Sequence, residues 1–153
     1  MDLIAGVAIK RLTPIPDERG WLMEILRRDD DIFEKFGQVY VTAVYPGVVK
    51  GWHYHKLQTD NFCVLTGMVK LVLYDPRDDS STRGMVNEFF LGEHNRLVVR
   101  IPPLVCHGFK GIGVKEALVL NVPTEPYRRD DPDEFRIHPH DNDIPYDWKL
   151  VEK

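Results

Sequence analysis

The sequence predicts an all-β protein, built as a β-sandwich or a closed barrel. Short apolar runs of strand length recur along its 153 residues, turn signals separate them, and only one short segment has helical features. A hydrophobic content of 43% with 29% charged residues is typical of a soluble globular protein. The length is that of one domain of ordinary size, so we predict a single domain over residues 1–153.

The charge balance and the cysteine content limit which partners and which compartment we expect. A net charge of −4 and a pI of about 5.8 provide no general basic field, so we expect no nucleic acid and no anionic membrane as a partner. The longest apolar runs fall far short of the roughly 20 residues that span a bilayer. The sequence also lacks an N-terminal signal pattern, which predicts a cytoplasmic protein. Cys63 and Cys106 are accordingly expected to be buried thiols.

The first third of the chain contains two predicted strands and the one predicted helix. A short apolar run followed by an early Lys-Arg pair predicts the first strand. Residues Asp29 to Phe36 predict a helix of about two turns, because acidic residues near its start suit the helix dipole. Residues Gln38 to Tyr45 predict a strand that ends at the Pro46-Gly47 turn.

The rest of the chain continues as strands and ends in a mixed segment. Further strands are predicted over 61–65 and 68–74, joined as a hairpin at Gly67, and over 97–101 and 117–122. Beyond Tyr127 the chain is charged and then mixes proline and acidic residues with the apolar side chains of Phe135, Ile144, Tyr146 and Trp148. We predict that this segment folds back over the barrel and brings its acidic residues near the mouth.

A histidine motif is the most informative local feature. His53 and His55 stand two residues apart in an apolar and aromatic run that begins near Gly47 and ends at Asp60. In a β-strand such residues point to the same face, since strand side chains alternate. His107, far downstream, is expected to return to the same wall. Such a group could bind a metal ion or a polar substrate, or supply a base.

The two histidine segments resemble the two sequence motifs of the cupins. That resemblance implies a cupin jelly-roll barrel, here with one short helix. Asp60 takes the place of the glutamate in the first motif, and Leu104 replaces the glycine usual in the second. In metal-binding cupins these motifs supply the ligands, so His53, His55, Asp60 and His107 form an alternative site for Zn, Fe, Mn or Ni.

A narrower resemblance covers most of the chain. The residues that carry it are Glu18-Arg19-Gly20, Met23-Glu24, Lys50-Gly51-Trp52-His53-Tyr54, Ile101 with the double proline after it, His107-Gly108-Phe109, Tyr127 and a late Asp-Ile-Trp cluster. Their order is similar to that of the dTDP-4-dehydrorhamnose 3,5-epimerase family. The resemblance implies a homodimeric isomerase that acts on a nucleotide-activated 4-keto-6-deoxy sugar in carbohydrate biosynthesis, without a metal cofactor.

The same resemblance implies roles for individual residues. His53 would be the base that removes the proton beside the ketone, and Asp141 would be its carboxylate partner, with Asp143 as a rival. The positions that would contact the substrate are Arg19, Glu24, Lys50, His55, His107, Asn121 and Tyr127. Histidine suits the role of base because its unperturbed pKa is about 6.5.

The chain departs from the family pattern at four positions. Lys50 stands for an arginine, which keeps the charge but loses the bidentate fork. His55 stands for a glutamine and Asp60 for a lysine. Asn121 stands for the tyrosine that reprotonates the opposite face of the sugar. Because asparagine cannot donate a proton in the same way, we expect reaction at one centre rather than two.

Three other functions stay open from the sequence. The His-x-His-Lys run from His53 to Lys56 resembles the sugar 3,4-ketoisomerases, in which a carbonyl moves along the ring. A metal-dependent cupin, either a dioxygenase or a small-molecule isomerase, would use the alternative metal site. A sugar-binding cupin without activity is favoured only by Asn121.

Overall fold

The fold was derived from a computed structural model that describes residues 2–151. Its strands are β1 (Ala8–Arg11), β2 (Ile15–Asp17), β3 (Gly20–Leu22), β4 (Tyr40–Val44), β5 (Val49–Tyr54), β6 (Asp60–Thr66), β7 (Met68–Tyr74), β8 (Val86–Gly92), β9 (Leu97–Ile101), β10 (Cys106–Gly111), β11 (Ala117–Asn121) and β12 (Phe135–Arg136). They agree closely with the strands predicted over 61–65, 68–74, 97–101 and 117–122.

Two five-stranded antiparallel sheets enclose the core. The strand orders are β1-β9-β6-β11-β4 and β12-β5-β10-β7-β8, and the hairpin β2-β3 forms a small sheet of its own. Alternate residues of the central strand β6 serve two apolar clusters, as the period of a strand requires. Phe62 and Val64 belong to the core between the sheets, whereas Cys63 packs with Ile32 and Val98 on the outer face. The prediction of an all-β fold is therefore confirmed.

The predicted helix over Asp29 to Phe36 is wrong, since residues 2–151 contain no helix. These residues therefore also contain no helix that could cross a membrane. Successive turns take its place, with the Phe33 N–H donating to the Asp30 carbonyl at 2.9 Å. The Asp30 carboxylate accepts the Arg27 N–H at 2.7 Å and also binds Lys10. Aspartate favours turns over helix interiors, and three aspartates stand together at the start of this segment, which agrees with the turns.

The predicted hairpin at Gly67 is also wrong. β6 pairs with β9 and β11, while β7 pairs with β8 and β10, so the two strands lie in different sheets. A single residue between them is too short for the two-residue turns that join hairpin strands. Gly67 has a φ of 73°, and a Cβ there would lie 2.7 Å from the Ala117 Cα. Gly67 is therefore the corner at which the chain passes from one sheet to the other.

The C-terminal segment folds back over the barrel, as predicted. β12 pairs with β5, and Trp148 is only 2% exposed. Its ring lies 5.1 Å from that of Trp52, centroid to centroid. Both cysteines are buried and free, as expected from their apolar context.

Candidate active site

A cavity of about 790 Å³ opens between the two sheets. Such a volume falls within the range of small-molecule sites. One wall comes from β4, β6 and β11, the other from β5 and β10, and residues 134 and 136–139 of the C-terminal segment complete it. Its polar lining and two aromatic residues matter most for chemistry: Tyr40, Thr42, Lys50, His53, Asp60, His107, Phe109, Asn121, Glu134, Arg136 and His138.

A β-bulge turns Lys50 and His53 toward the same cavity. In a regular strand, residues three apart point to opposite faces. Here His53 lies opposite His107 and Lys50 lies opposite Phe109, so the β5–β10 register shifts by one residue between them. The extra residue of a bulge reverses the alternation, and such bulges are common beside active sites. The Lys50 ammonium then reaches across to the β4 wall and donates to the Thr42 hydroxyl at 2.6 Å.

The buried Asp60 carboxylate is the centre of a polar cluster. Its Oδ1 accepts the side-chain amides of Gln58 at 2.8 Å and Asn121 at 2.7 Å. Its Oδ2 lies 3.0 Å from His107 Nε2 and 3.2 Å from His55 Nε2. A buried carboxylate is tolerated when its oxygens are satisfied in this way.

The second nitrogen of each histidine faces a backbone carbonyl. His107 Nδ1 lies 3.0 Å from the Val105 oxygen, and His55 Nδ1 contacts the Asp133 oxygen. An imidazole nitrogen that faces a carboxylate oxygen attracts it only when the nitrogen carries a proton. His55 and His107 are therefore arranged as donors to Asp60 through Nε2.

Burial and charge act in opposite directions on this cluster. Burial alone would raise the pKa of Asp60, but hydrogen bonds from His107 and His55 outweigh it and hold the pKa well below its usual value. Burial lowers the pKa of His55, yet the hydrogen bond and charge of Asp60 raise it overall. Asp60 is therefore ionised, and His55 holds its proton more strongly than a free imidazole would.

The pKa of His53 shifts in the opposite direction to that of His55. Burial, followed by the charge of His107, lowers the pKa of His53 from 6.5 to about 3. Its Nδ1 faces the Gly51 carbonyl at 3.3 Å, which directs the proton of the neutral ring to Nδ1 and leaves Nε2 as the acceptor. The His53 ring thus stays neutral and offers an unprotonated nitrogen.

The same residues fit a metal ion geometrically. One ligand atom from each of His53, His55, Asp60 and His107 lies within 4.8 Å of the others. Each histidine places its Nδ1 against a backbone carbonyl, an arrangement that also orients metal ligands. Three nitrogens and one oxygen would suit Zn²⁺ or another first-row metal.

Asn121 connects this cluster to the edge of the β4 wall. β11 and β4 pair so that Asn121 lies opposite Tyr40. The Asn121 Nδ2 donates both to Asp60 and, at 3.0 Å, to the Tyr40 hydroxyl. Its Oδ1 accepts the Asn61 N–H at 3.1 Å, which fixes the orientation of the amide.

Comparison with known proteins assigns the family. The family model described as dTDP-4-dehydrorhamnose 3,5-epimerase matches residues 2–153. The chain belongs to the dTDP-4-dehydrorhamnose 3,5-epimerase family. The resemblance drawn from the motifs is thereby confirmed, together with the assignment to the sugar epimerases.

Individual relatives agree with this assignment. A probable low-salt glycan biosynthesis epimerase of Haloferax volcanii is 43% identical over 150 residues, 97% of this chain and 96% of the relative. The spore coat polysaccharide biosynthesis protein SpsL of Bacillus subtilis is 38% identical over 146 residues, 95% and 97% of the two chains. The crystal structure of a dTDP sugar isomerase from Desulfovibrio desulfuricans G20 superposes with a TM-score of 0.91 at 35% identity, covering 99% and 98%. The cupin jelly-roll fold is therefore confirmed.

The epimerase-family pattern is assembled only in part within one chain. Lys50, His53, His107 and Asn121 line the cavity, and His55 lies behind it in the Asp60 cluster. Four other predicted residues lie on the surface outside the cavity: Arg19, Glu24, Tyr127 and Asp141. Their roles stay predictions.

The contacts of three of these surface residues are local. Arg19 binds Asp17 within the β2-β3 turn, and Glu24 binds Arg27. The Asp141 N–H donates to His138 Nδ1 at 2.9 Å, and no hydrogen bond joins Asp141 to His53 in the described part of the chain. The partner of His53 Nδ1 within the chain is the Gly51 carbonyl instead.

Sequence reasoning did not anticipate several residues of this epimerase-family cavity. Tyr40 and Thr42 lie on an ordinary apolar strand, where an aromatic residue carries no signal of its own. Glu134, Arg136 and His138 come from the C-terminal segment, and the Arg136 guanidinium binds the Glu134 carboxylate at 2.8 Å. Only the prediction that this segment folds back pointed toward them.

Proposed function

We propose that this protein epimerises a carbon beside the ketone of a nucleotide-activated 4-keto-6-deoxy sugar. The observation that carries the proposal is the neutral His53 ring, which lines the cavity beside a buried polar cluster and a lysine. Membership of the epimerase family supports the substrate class. The nucleotide diphosphate would need a cation in the cavity, and Lys50 and Arg136 are cations that line it.

The proposed reaction begins with proton removal by His53. Its Nε2 takes the proton from the carbon beside the ketone, and the electron pair of the broken bond moves to the carbonyl oxygen as an enolate. Burial lowers the pKa of free His53 by disfavouring its charged form. The negative enolate that forms beside the imidazolium offsets this cost in the reacting complex.

The enolate needs a positive group near its oxygen. Lys50 supplies one, because it brings an ammonium to the cavity wall. The trio of His55, Asp60 and His107 places two imidazole donors around one carboxylate beside it.

We propose that the reaction proceeds without a metal cofactor. The Asp60 carboxylate already accepts hydrogen bonds from Gln58 and Asn121 and contacts both histidines, so its charge is balanced by the chain itself. The alternative is a divalent ion held by His53, His55, Asp60 and His107. Such an ion would supply the same positive charge near the enolate oxygen.

We further propose a homodimer in the cytoplasm. The β2-β3 hairpin pairs with no other strand of residues 2–151, and its large side chains Ile15, Trp21 and Leu22 are exposed. A second copy that covered them would remove an apolar patch from water. The two free buried thiols suit a reducing compartment.

The decisive experiment follows a dTDP-linked 4-keto-6-deoxyhexose by NMR in D₂O. Deuterium should enter at the carbon beside the ketone, and the configuration of that carbon should invert. Movement of the carbonyl along the ring would instead identify a 3,4-ketoisomerase. Binding of the nucleotide sugar with neither exchange nor isomerisation would contradict the proposal and indicate a binding protein.

A further inference from the structure

Inversion of a carbon requires proton transfer at both faces of the sugar ring. His53 lies on β5, in one sheet, and can serve only the face turned toward that wall. The opposite wall comes from β4, β6 and β11. An acid on that wall must therefore deliver the second proton if the proposed epimerisation takes place.

Few side chains on the opposite wall could do so. The residues that line it, within the described part of the chain, are Tyr40, Thr42, Asp60, Phe62, Val119 and Asn121. The two oxygens of Asp60 are already taken up by contacts with Gln58, Asn121 and the two histidines, the amide of Asn121 is no acid, and Phe62 and Val119 have no exchangeable proton. The Thr42 hydroxyl is an alcohol and a far weaker acid than a phenol, whose pKa is about 10. The Tyr40 phenol is the group that remains.

We propose that Tyr40 is the catalytic acid that protonates the enolate on the face opposite His53. This inference rests on the proposed epimerase function. The Asn121 amide is the donor in its hydrogen bond to the Tyr40 oxygen, so the proton of the phenol is not used in that bond and can point at the sugar.

The surroundings of Tyr40 suit both forms of the phenol. Burial, together with the charge of Asp60, raises the pKa of Tyr40, so it stays protonated until the enolate forms. After transfer, the Asn121 N–H stabilises the phenolate oxygen. Asn121 is itself held by Asp60 and by the Asn61 backbone, which makes it a positioning residue for Tyr40.

The proposed step balances without a further reactant. The proton of the phenol forms the new C–H bond with the electron pair of the enolate, and the carbonyl is restored. Tyr40 is left as phenolate and His53 as imidazolium. Tyr40 then regains a proton from water while His53 releases one, which resets the site.

The test separates proton removal from inversion in the Tyr40→Phe variant. With a dTDP-linked 4-keto-6-deoxyhexose in D₂O, the variant should still exchange deuterium at the reacting carbon, because His53 can remove a proton and return a deuteron on the same face. Its rate of inversion should fall by about 10²–10⁴-fold, as expected for loss of a general acid. Tyr45→Phe, at an exposed tyrosine outside the cavity, is the matched control and should behave as wild type.

Each other outcome has a defined meaning. If the Tyr40→Phe variant inverts the carbon at the wild-type rate, the proposal is overturned. Loss of exchange together with inversion in a folded Tyr40→Phe variant would also overturn it, since that would assign the phenol to binding or structure. A wild-type protein that exchanges no deuterium and inverts no centre would instead refute the proposed function itself.

Discussion

His53 and His107 lie directly opposite each other on β5 and β10, with their ring centroids 4.0 Å apart. Within this pair His107 contacts Asp60 and the Val105 carbonyl, whereas the hydrogen-bond partner of His53 within residues 2–151 is the Gly51 carbonyl. The two rings therefore have different roles: His107 is arranged as a donor to Asp60, and the neutral His53 ring is the proposed proton acceptor.

The first prediction concerns the base. His53→Asn should lower kcat by about 10²–10⁴-fold and abolish solvent deuterium exchange, because asparagine cannot accept the proton. The far-UV circular dichroism and the melting temperature should stay close to those of wild type. His94→Asn, at an exposed histidine, is the control. Deuterium exchange at the wild-type rate in His53→Asn would exclude His53 as the base.

The second prediction concerns the metal. Protein purified without chelator should contain no stoichiometric Zn, Fe, Mn or Ni by elemental analysis, and treatment with EDTA should leave the rate of epimerisation unchanged. The physical reason is that Asp60 already has donors for both of its oxygens. One bound metal per chain, lost in His55→Ala, would replace the metal-free mechanism with the alternative site.

The third prediction concerns stability in acid. The buried Asp75 carboxylate accepts Arg77, Ser80 and Thr82 at 2.5–2.9 Å. Burial opposes its ionisation, but these hydrogen bonds, the Arg77 bond first among them, hold the pKa of Asp75 below 3.8. A carboxylate whose pKa is lower in the folded state stabilises the fold fully at a pH above its unfolded-state pKa. That stabilisation is lost as the pH falls toward the folded-state pKa.

Asp75→Asn should therefore lower the free energy of unfolding at pH 7 by about 1–3 kcal/mol, the usual cost of a disrupted buried hydrogen-bonding group. Urea unfolding between pH 7 and pH 2 is the measurement, and the difference from wild type should shrink below pH 4. Asp78→Asn, at an exposed aspartate of the same loop, is the control. A pH-independent difference would show that ionisation of Asp75 does not stabilise the fold.

The fourth prediction concerns the cover formed by the C-terminal segment. Trp148→Ala should lower the free energy of unfolding by about 3–5 kcal/mol, because it removes a buried aromatic that packs on Trp52. Leu150→Ala, at a side chain that is 80% exposed, should change it by less than about 0.5 kcal/mol. Chemical denaturation of both variants is the measurement. Equal effects would mean that the segment is not anchored at Trp148.

The fifth prediction concerns assembly. Trp21→Ser should weaken the proposed homodimer, since Trp21 lies on the β2-β3 hairpin, is 55% exposed and also contacts Arg96. Light scattering coupled to size-exclusion chromatography over a range of concentrations is the measurement. Val114→Ser, at a fully exposed loop residue, is the control. A wild-type monomer at all concentrations would refute the homodimer.

The sequence was sufficient for several of the strands and for part of the cavity. Apolar runs with turn residues between them predict β9 to the residue, and the motif resemblance brings His53, Lys50 and His107 together. Alternation alone would have separated Lys50 from His53. Their common orientation depends on the β5–β10 register shift, which is a property of two strands far apart in sequence.

Other features depend on partners that a local pattern does not reveal. Gly67 has the local sequence of a hairpin turn, but the strands that pair with β6 and β7 lie later in the chain. These are β9 and β11 for β6, and β8 and β10 for β7. Tyr40 reads as an ordinary strand aromatic until its pairing with Asn121 is known. The segment after Asp29 has helical features, yet its backbone forms single turns such as that closed by the Phe33 N–H and the Asp30 carbonyl, and the Asp30 carboxylate binds Lys10 far away in the sequence.

The late position of β12 in the chain has a consequence for biosynthesis. Every other strand precedes it, and residues 134–139 close the cavity only when β12 pairs with β5 and Trp148 reaches Trp52. On the ribosome, the sheets can therefore form before the binding cavity is complete, because the chain emerges from its N-terminus. The cavity is complete only after residues 134–148 have been synthesised, and a nascent chain stalled before residue 134 would lack the residues that close it.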